Sequence, residues 1–204
     1  MALQFWFEFA STYTYPAAMR IEAAAAERGI AVEWKAFLLG PIFVRQGWKD
    51  SPFNIYPAKG RYMWRDLERS CQHLGLPLRR PSQFPRVSLL AARIAAVHAG
   101  APWLPAFVRA VYHANFADDR AIGEPAVVDE LLRGLGLDGE ALIAEAGTPA
   151  AKDALRAQGE EADRLGLFGA PSFVVGSELF WGNDRLGDAL DWAVAHSDQA
   201  SSGA

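Results

Sequence analysis

Strand-like alternation is confined to the two ends of this chain, and residues 40–165 between them carry only irregular and helical texture. Any sheet must therefore join segments that lie far apart in sequence. At the start, Leu3, Phe5, Phe7 and Phe9 alternate with Gln4, Trp6 and Glu8, the period of two of a strand. The Ala-rich run 13–28 follows, with Pro16 in its first turn and Gly29 as its stop, which predicts a helix. Residues 30–38 are again rich in β-branched and aromatic side chains and end at the break Gly40-Pro41. The opening is β-α-β.

Residues 40–59 hold Gly40, Gly47, Pro41, Pro52, Pro57 and Asn54 and are expected to be irregular. Helical patterns follow over 62–74, 88–99, 104–115, 125–135, 139–146 and 149–165, each bounded by Pro or Gly. Leu89, Ile94 and Val97 share one side of one helix, and Phe107, Val108 and Val111 share a side of the next. Near the end, residues 172–175 and 178–181 are short strand-like runs separated by Gly176-Ser177, which suits a tight hairpin. Asn183 is placed to cap a final helix running to residue 195. A β-α-β half, a helical insert and a β-β-α half describe an α/β thioredoxin-like fold carrying an all-helical insertion. The expected division is 1–39 with 166–196 as the thioredoxin-like domain, 40–165 as connecting loop and helical insertion, and 197–204 as a disordered tail.

The balance of 20 Lys and Arg against 24 Asp and Glu, with no basic run, argues against nucleic acid as a partner. The first residues lack the pattern of a secretory signal, and no apolar stretch has a membrane helix's length, so a cytoplasmic protein without membrane partners is expected. Cys71 is the only cysteine, which excludes an intrachain disulfide and a thiolate metal cluster. His73, His98, His113 and His196 are scattered and form no ligand motif, so no metal is expected.

Chemistry is sought at the junction of the first strand and helix, because N–H groups at a helix N-terminus stabilise an anion. Ser11 and Thr14 stand there at the spacing of the cysteines in a redox Cys-x-x-Cys site. Such a site moves no disulfides, yet a hydroxyl hydrogen-bonded to a thiolate lowers that thiol's pKa. Ser11 taken alone reads better as a helix cap. Ala170-Pro171 directly precedes a strand, where the proline reads either as an ordinary turn proline or as a cis-proline loop whose backbone edge takes a peptide. Trp181-Gly182-Asn183-Asp184-Arg185 sets an amide, a carboxylate and a guanidinium at a helix start, suited to the charged ends of a small peptide.

Four stretches, FWFEFASTYTYP, VEWKAFLLGPIF, SPFNIYPAKGRYMWRDLER and LFGAPSFVVGSELFWGNDRL, resemble the 2-hydroxychromene-2-carboxylate isomerases and the related kappa-class glutathione transferases. The resemblance spans nearly the whole chain and implies a DsbA-like thioredoxin fold with glutathione as cofactor. It assigns Ser11 to the glutathione sulfur, Ala170 and Pro171 to the cysteinyl backbone, and Asn183 and Asp184 to the γ-glutamyl end. It places Asn54 and Lys59 toward cofactor and substrate. Phe43 and Trp64 are expected to line an apolar chamber for a small aromatic carboxylate. Two positions depart from the family pattern: Thr12 where Pro is frequent, and Val87 where Asn is frequent. The implied reaction is isomerisation by reversible thiolate addition, ring opening and cis/trans change. Conjugation by a kappa-like transferase and a non-catalytic glutathione-binding module share the same cofactor motifs. The resemblance also allows a homodimer, for which the residues specify no interface.

Overall fold

The structure is a computed structural model and describes residues 2–201. Strand β1 (Ala2–Phe7) is central, because the residues of both its faces are apolar: Phe5, Trp6 and Phe7 are all fully buried. It pairs in parallel with β2 (Ala31–Ala36) after the crossover helix α1 (Thr14–Ala26). On its other edge it pairs antiparallel with β3 (Ser172–Val175), which forms a hairpin with β4 (Glu178–Trp181). The sheet order is β2-β1-β3-β4, so a strand from each end of the chain forms the middle of the sheet. Phe5 lies opposite Phe173 in this register, their rings stacked at 5.6 Å.

Between the halves run α2 (Leu39–Arg45), α3 (Pro52–Ile55), α4 (Pro57–Leu74), α5 (Leu89–Val97), α6 (Leu104–Phe116), α7 (Pro125–Gly134), α8 (Gly139–Ala146) and α9 (Pro149–Arg164). The expected irregular stretch therefore holds two short helices and the first turn of a third. Pro41, Pro52 and Pro57 each fall in a first helical turn, where a missing N–H costs no helical hydrogen bond, so prolines that read as breaks are starts. The helices share one apolar core with the sheet: Leu3, Phe5 and Trp34 cluster with Ala91, Phe107 and Leu132. Trp6, on the opposite face, joins Phe37, Ile42, Ala162 and Leu167 in a second cluster. Burying each such large side chain contributes about 1.5–3 kcal/mol.

The closing helix, α10 (Leu186–Ser201), follows a 3-10 turn at Asn183–Arg185. It runs past the expected end at residue 195, while residues 202–204 of the expected tail lie outside the described residues. Among the described residues no helix is long and apolar enough to cross a membrane.

One contact fixes where α3 sits. Gly60 of α4 lies so close to the Phe53 carbonyl that a Cβ at position 60 would come within 2.2 Å of that oxygen. The obstacle is backbone and cannot rotate away. Gly60→Ala is expected to lower stability by about 1–3 kcal/mol, measured as the denaturant midpoint at unchanged m-value.

Candidate functional site

The chain turns sharply after β1: the Ser11 N–H donates to the Glu8 carbonyl at 2.9 Å. The Ser11 hydroxyl then donates to the carbonyl of Ala170 at 2.8 Å, a residue 159 positions away. It does not cap α1, whose N-cap residue is Tyr13 and which has no side-chain cap. The capping alternative for Ser11 is thereby replaced by a contact across the site. Thr14, at the second cysteine position, is fully buried, and the Thr12 hydroxyl donates to the Met63 sulfur at 3.1 Å.

The Ala170-Pro171 peptide is cis. The Pro171 carbonyl accepts the Gly182 N–H at 3.0 Å, which ties the loop before β3 to the turn after β4. Gly182 has φ 117°, a conformation that L side chains rarely adopt. Asn183 does not cap the final helix as expected: its side-chain oxygen accepts Arg20 of α1 at 3.0 Å, because Arg20 grips both that oxygen and the Asn183 carbonyl. Asp184 is exposed and pairs with Arg185 at 3.1 Å. Ser11, Ala170-Pro171, Gly182-Asn183 and Arg20 thus form a closed circuit of contacts returning to α1.

A cleft of about 1190 Å³ opens over this circuit, and Ser11, Ala170, Phe43 and Lys59 all line it. Its rim is apolar and open, with Val44, Tyr62 and Val87 each more than 60% exposed. Lys59 extends its ammonium over the Tyr56 ring at 4.9 Å, and Phe43 packs against Trp48 at 5.6 Å.

Trp64 is not a wall of the cleft, contrary to expectation. It lies on the buried face of α4 with Gly60, Met63 and Leu67, its ring 5.0 Å from Phe84 and covered by the Arg80 guanidinium. Two residues along a helix rotate a side chain by about 200°, so Tyr62 faces the cleft where Trp64 cannot. Asn54 is also outside the lining: its amide donates to Asp50 and to the Phe84 carbonyl at 3.1–3.2 Å, bracing the wall from behind. Pro171, Asn183 and Asp184 flank the cleft without lining it.

Three polar side chains on this wall were not singled out from the sequence. Glu8 is buried, and burial pushes its carboxyl pKa up against hydrogen bonds from Ser88, Ala10 and Leu39. Ser88 and Arg86 are likewise buried and line the cleft. Strand alternation groups Glu8 with Gln4 and Trp6, opposite the apolar row of Leu3, Phe5, Phe7 and Phe9, and so carried no sign of its burial.

A parallel-antiparallel four-stranded sheet, a helical insertion and a cis-proline loop facing the first strand-helix junction define a thioredoxin fold of the DsbA type. The family model of the DSBA-like thioredoxin domain matches residues 2–191. A 2-hydroxychromene-2-carboxylate isomerase from Sphingobium xenophagum is 31% identical, over 90% of this chain and 93% of the relative. The chain belongs to the 2-hydroxychromene-2-carboxylate isomerase family. A solved structure of such an isomerase superposes with a TM-score of 0.86 at 26% identity, over 99% of this chain and 98% of that one. A glutathione S-transferase kappa 2 from Caenorhabditis elegans is 25% identical over 93% of this chain and 90% of the relative.

Proposed function

We propose that this protein is a glutathione-dependent isomerase of 2-hydroxychromene-2-carboxylate or a related small aromatic carboxylate. The observation that carries the reading is the Ser11–Ala170 hydrogen bond at the floor of the cleft. A hydroxyl has one proton to donate, and here it goes to a carbonyl that a bound peptide could supply with an N–H instead. A thiol peptide fits this pair: its sulfur takes the Ser11 proton, and its cysteinyl N–H takes the vacated Ala170 carbonyl. The exposed carboxylate of Asp184, beside the turn tied to Pro171, suits the ammonium of a γ-glutamyl group.

Glutathione, when bound, supplies a thiolate that adds to the conjugated substrate and leaves after a bond has rotated. Ser11 favours that thiolate by donating to its charged form. Phe43 and Tyr62 present apolar faces to the substrate rings, and Lys59 with Lys49 offers the ammonium groups for its carboxylate. Asn54 serves by bracing this wall, and Trp64 by packing beneath it.

Similarity to kappa-class relatives favours one second reading, conjugation of an electrophile. An absorbance assay with a 2-hydroxychromene-2-carboxylate, with and without glutathione, separates the two. Conversion that requires glutathione and leaves the thiol concentration unchanged is the expected result. Stoichiometric thiol loss would establish conjugation, and conversion without glutathione would overturn the cofactor's role.

A further inference from the structure

One buried acid on the cleft wall has no part in holding a thiolate. Glu8 is 6% exposed and Ser88, just before α5, is 5% exposed; both line the same cleft as Ser11. One Glu8 carboxylate oxygen accepts the Ser88 hydroxyl at 2.5 Å and the Ala10 N–H at 3.2 Å, and the other accepts the Leu39 N–H at 3.2 Å. All three donors are neutral, and among the described residues no Lys or Arg pairs with Glu8. We propose that Ser88 and Glu8 form a proton relay that opens the oxygen ring of the substrate, with Ser88 touching the substrate and Glu8 acting through Ser88. The inference rests on the isomerase reading above.

A 2-hydroxychromene carries a hydroxyl and the ring oxygen on one carbon. Ring opening turns that hydroxyl into a carbonyl: its O–H electron pair forms the new C=O bond, and the pair of the breaking carbon–oxygen bond goes to the ring oxygen. The released proton passes to the Ser88 oxygen while Ser88's own proton passes to Glu8. The reverse transfer then protonates the phenoxide, so both side chains end as they began and no electrons are gained or lost. Ser88 is oriented for this, since its proton points at Glu8 and its lone pairs remain for an incoming proton. Burial makes the Glu8 carboxylate a stronger base than a solvated one.

The surrounding charged and titratable groups leave Glu8 as the base. Tyr112 of α6 donates its phenol to the Glu8 main-chain carbonyl at 2.8 Å, and burial pushes its pKa far up, so it stays neutral. Arg86 is paired with Asp119, and Tyr13 donates to Asp66 at 3.1 Å. Lys49, Lys59 and Asp50 face the same cleft but make no hydrogen bond to Glu8.

The test uses the full chain with Ser88→Ala and Glu8→Gln. Both are expected to lower kcat by roughly 10²–10⁴-fold while leaving glutathione binding by calorimetry unchanged, and Glu8→Gln should remove the acid limb of the pH–rate profile. A second readout needs no turnover. Because the folded pKa of Glu8 lies above its ordinary value of 4.5, wild type should be most stable relative to Glu8→Gln at low pH. That advantage should be lost as pH rises through the folded pKa, and Ser88→Ala should move the loss to higher pH. Full kcat with an unchanged pH profile in Ser88→Ala overturns the relay, as does a stability difference that Ser88→Ala does not move. A wild-type chain that converts no hydroxychromene carboxylate overturns the isomerase reading itself, a result distinct from either.

Discussion

Ser11→Ala is expected to lower glutathione-dependent turnover by about 10- to 100-fold while leaving the fold intact. A hydrogen bond to a charged group is worth about 1.5–3 kcal/mol, and each 1.4 kcal/mol is a factor of ten. The same loss should raise the pKa of the bound thiol, read from the ultraviolet absorbance of the thiolate against pH. The cost to the fold is smaller, because the Ser11–Ala170 bond joins two neutral groups and contributes about 1 kcal/mol, or roughly 2–4 °C in Tm for a chain of this size. A large loss of activity with a small loss of stability is therefore the signature of a thiolate-stabilising hydroxyl. Unchanged thiol titration together with full activity would remove Ser11 from the mechanism.

Arg86→Met should produce the opposite pattern, a loss of stability of about 1–3 kcal/mol, or roughly 2–12 °C in Tm, from the buried Asn115 acceptors left without their donor. The Arg86 side chain is 5% exposed. Its guanidinium donates to the side chain of Asn115 at 3.1 Å, to the Asp119 carbonyl at 3.1 Å and to the Asp119 carboxylate. Methionine fills much of the same volume but leaves these acceptors without their donor. The effect reaches the site, since the Asn115 amide also donates to the Phe9 carbonyl at 3.1 Å, two residues before Ser11. Asp119 adds a pH signature. Hydrogen bonds from the Ser82 N–H and from Arg86 hold its carboxyl at about 2. Its folded pKa is depressed, so its stabilisation is complete above the ordinary carboxylate value and is lost as pH falls through about 2. Arg86→Met should shift that acid loss to higher pH, a change visible in unfolding midpoints measured across the acid range.

Elements governed by a local period were legible in advance. The alternation of Leu3, Phe5 and Phe7 marks β1, and Gly176-Ser177 between two short apolar runs marks the β3–β4 hairpin. Helices α2 and α3 were not legible, because seven and four residues are too few to show a helical period and their prolines resemble breaks. Side-chain direction within a recognised element was harder still. Trp64 and Tyr62 are both aromatic on one helix, and only the packing of α4 against the core assigns one inward and the other to the cleft.

By itself, the sequence determined the order of the four strands and of the longer helices, the absence of a disulfide-forming cysteine pair, and the hydroxyl at the junction after β1. The tertiary structure decided what that hydroxyl does. A cap is a bond to a residue two or three positions away, and local spacing can propose it; the partner actually chosen, Ala170, lies 159 residues off. Sequence spacing carries no information about such a pairing, which exists because β3 docks antiparallel on β1 and brings the cis-proline loop over Ser11. Glu8 follows the same logic: the period of β1 groups it only with Gln4 and Trp6, whereas its burial and its link to Ser88, 80 residues away, exist only in the packed molecule.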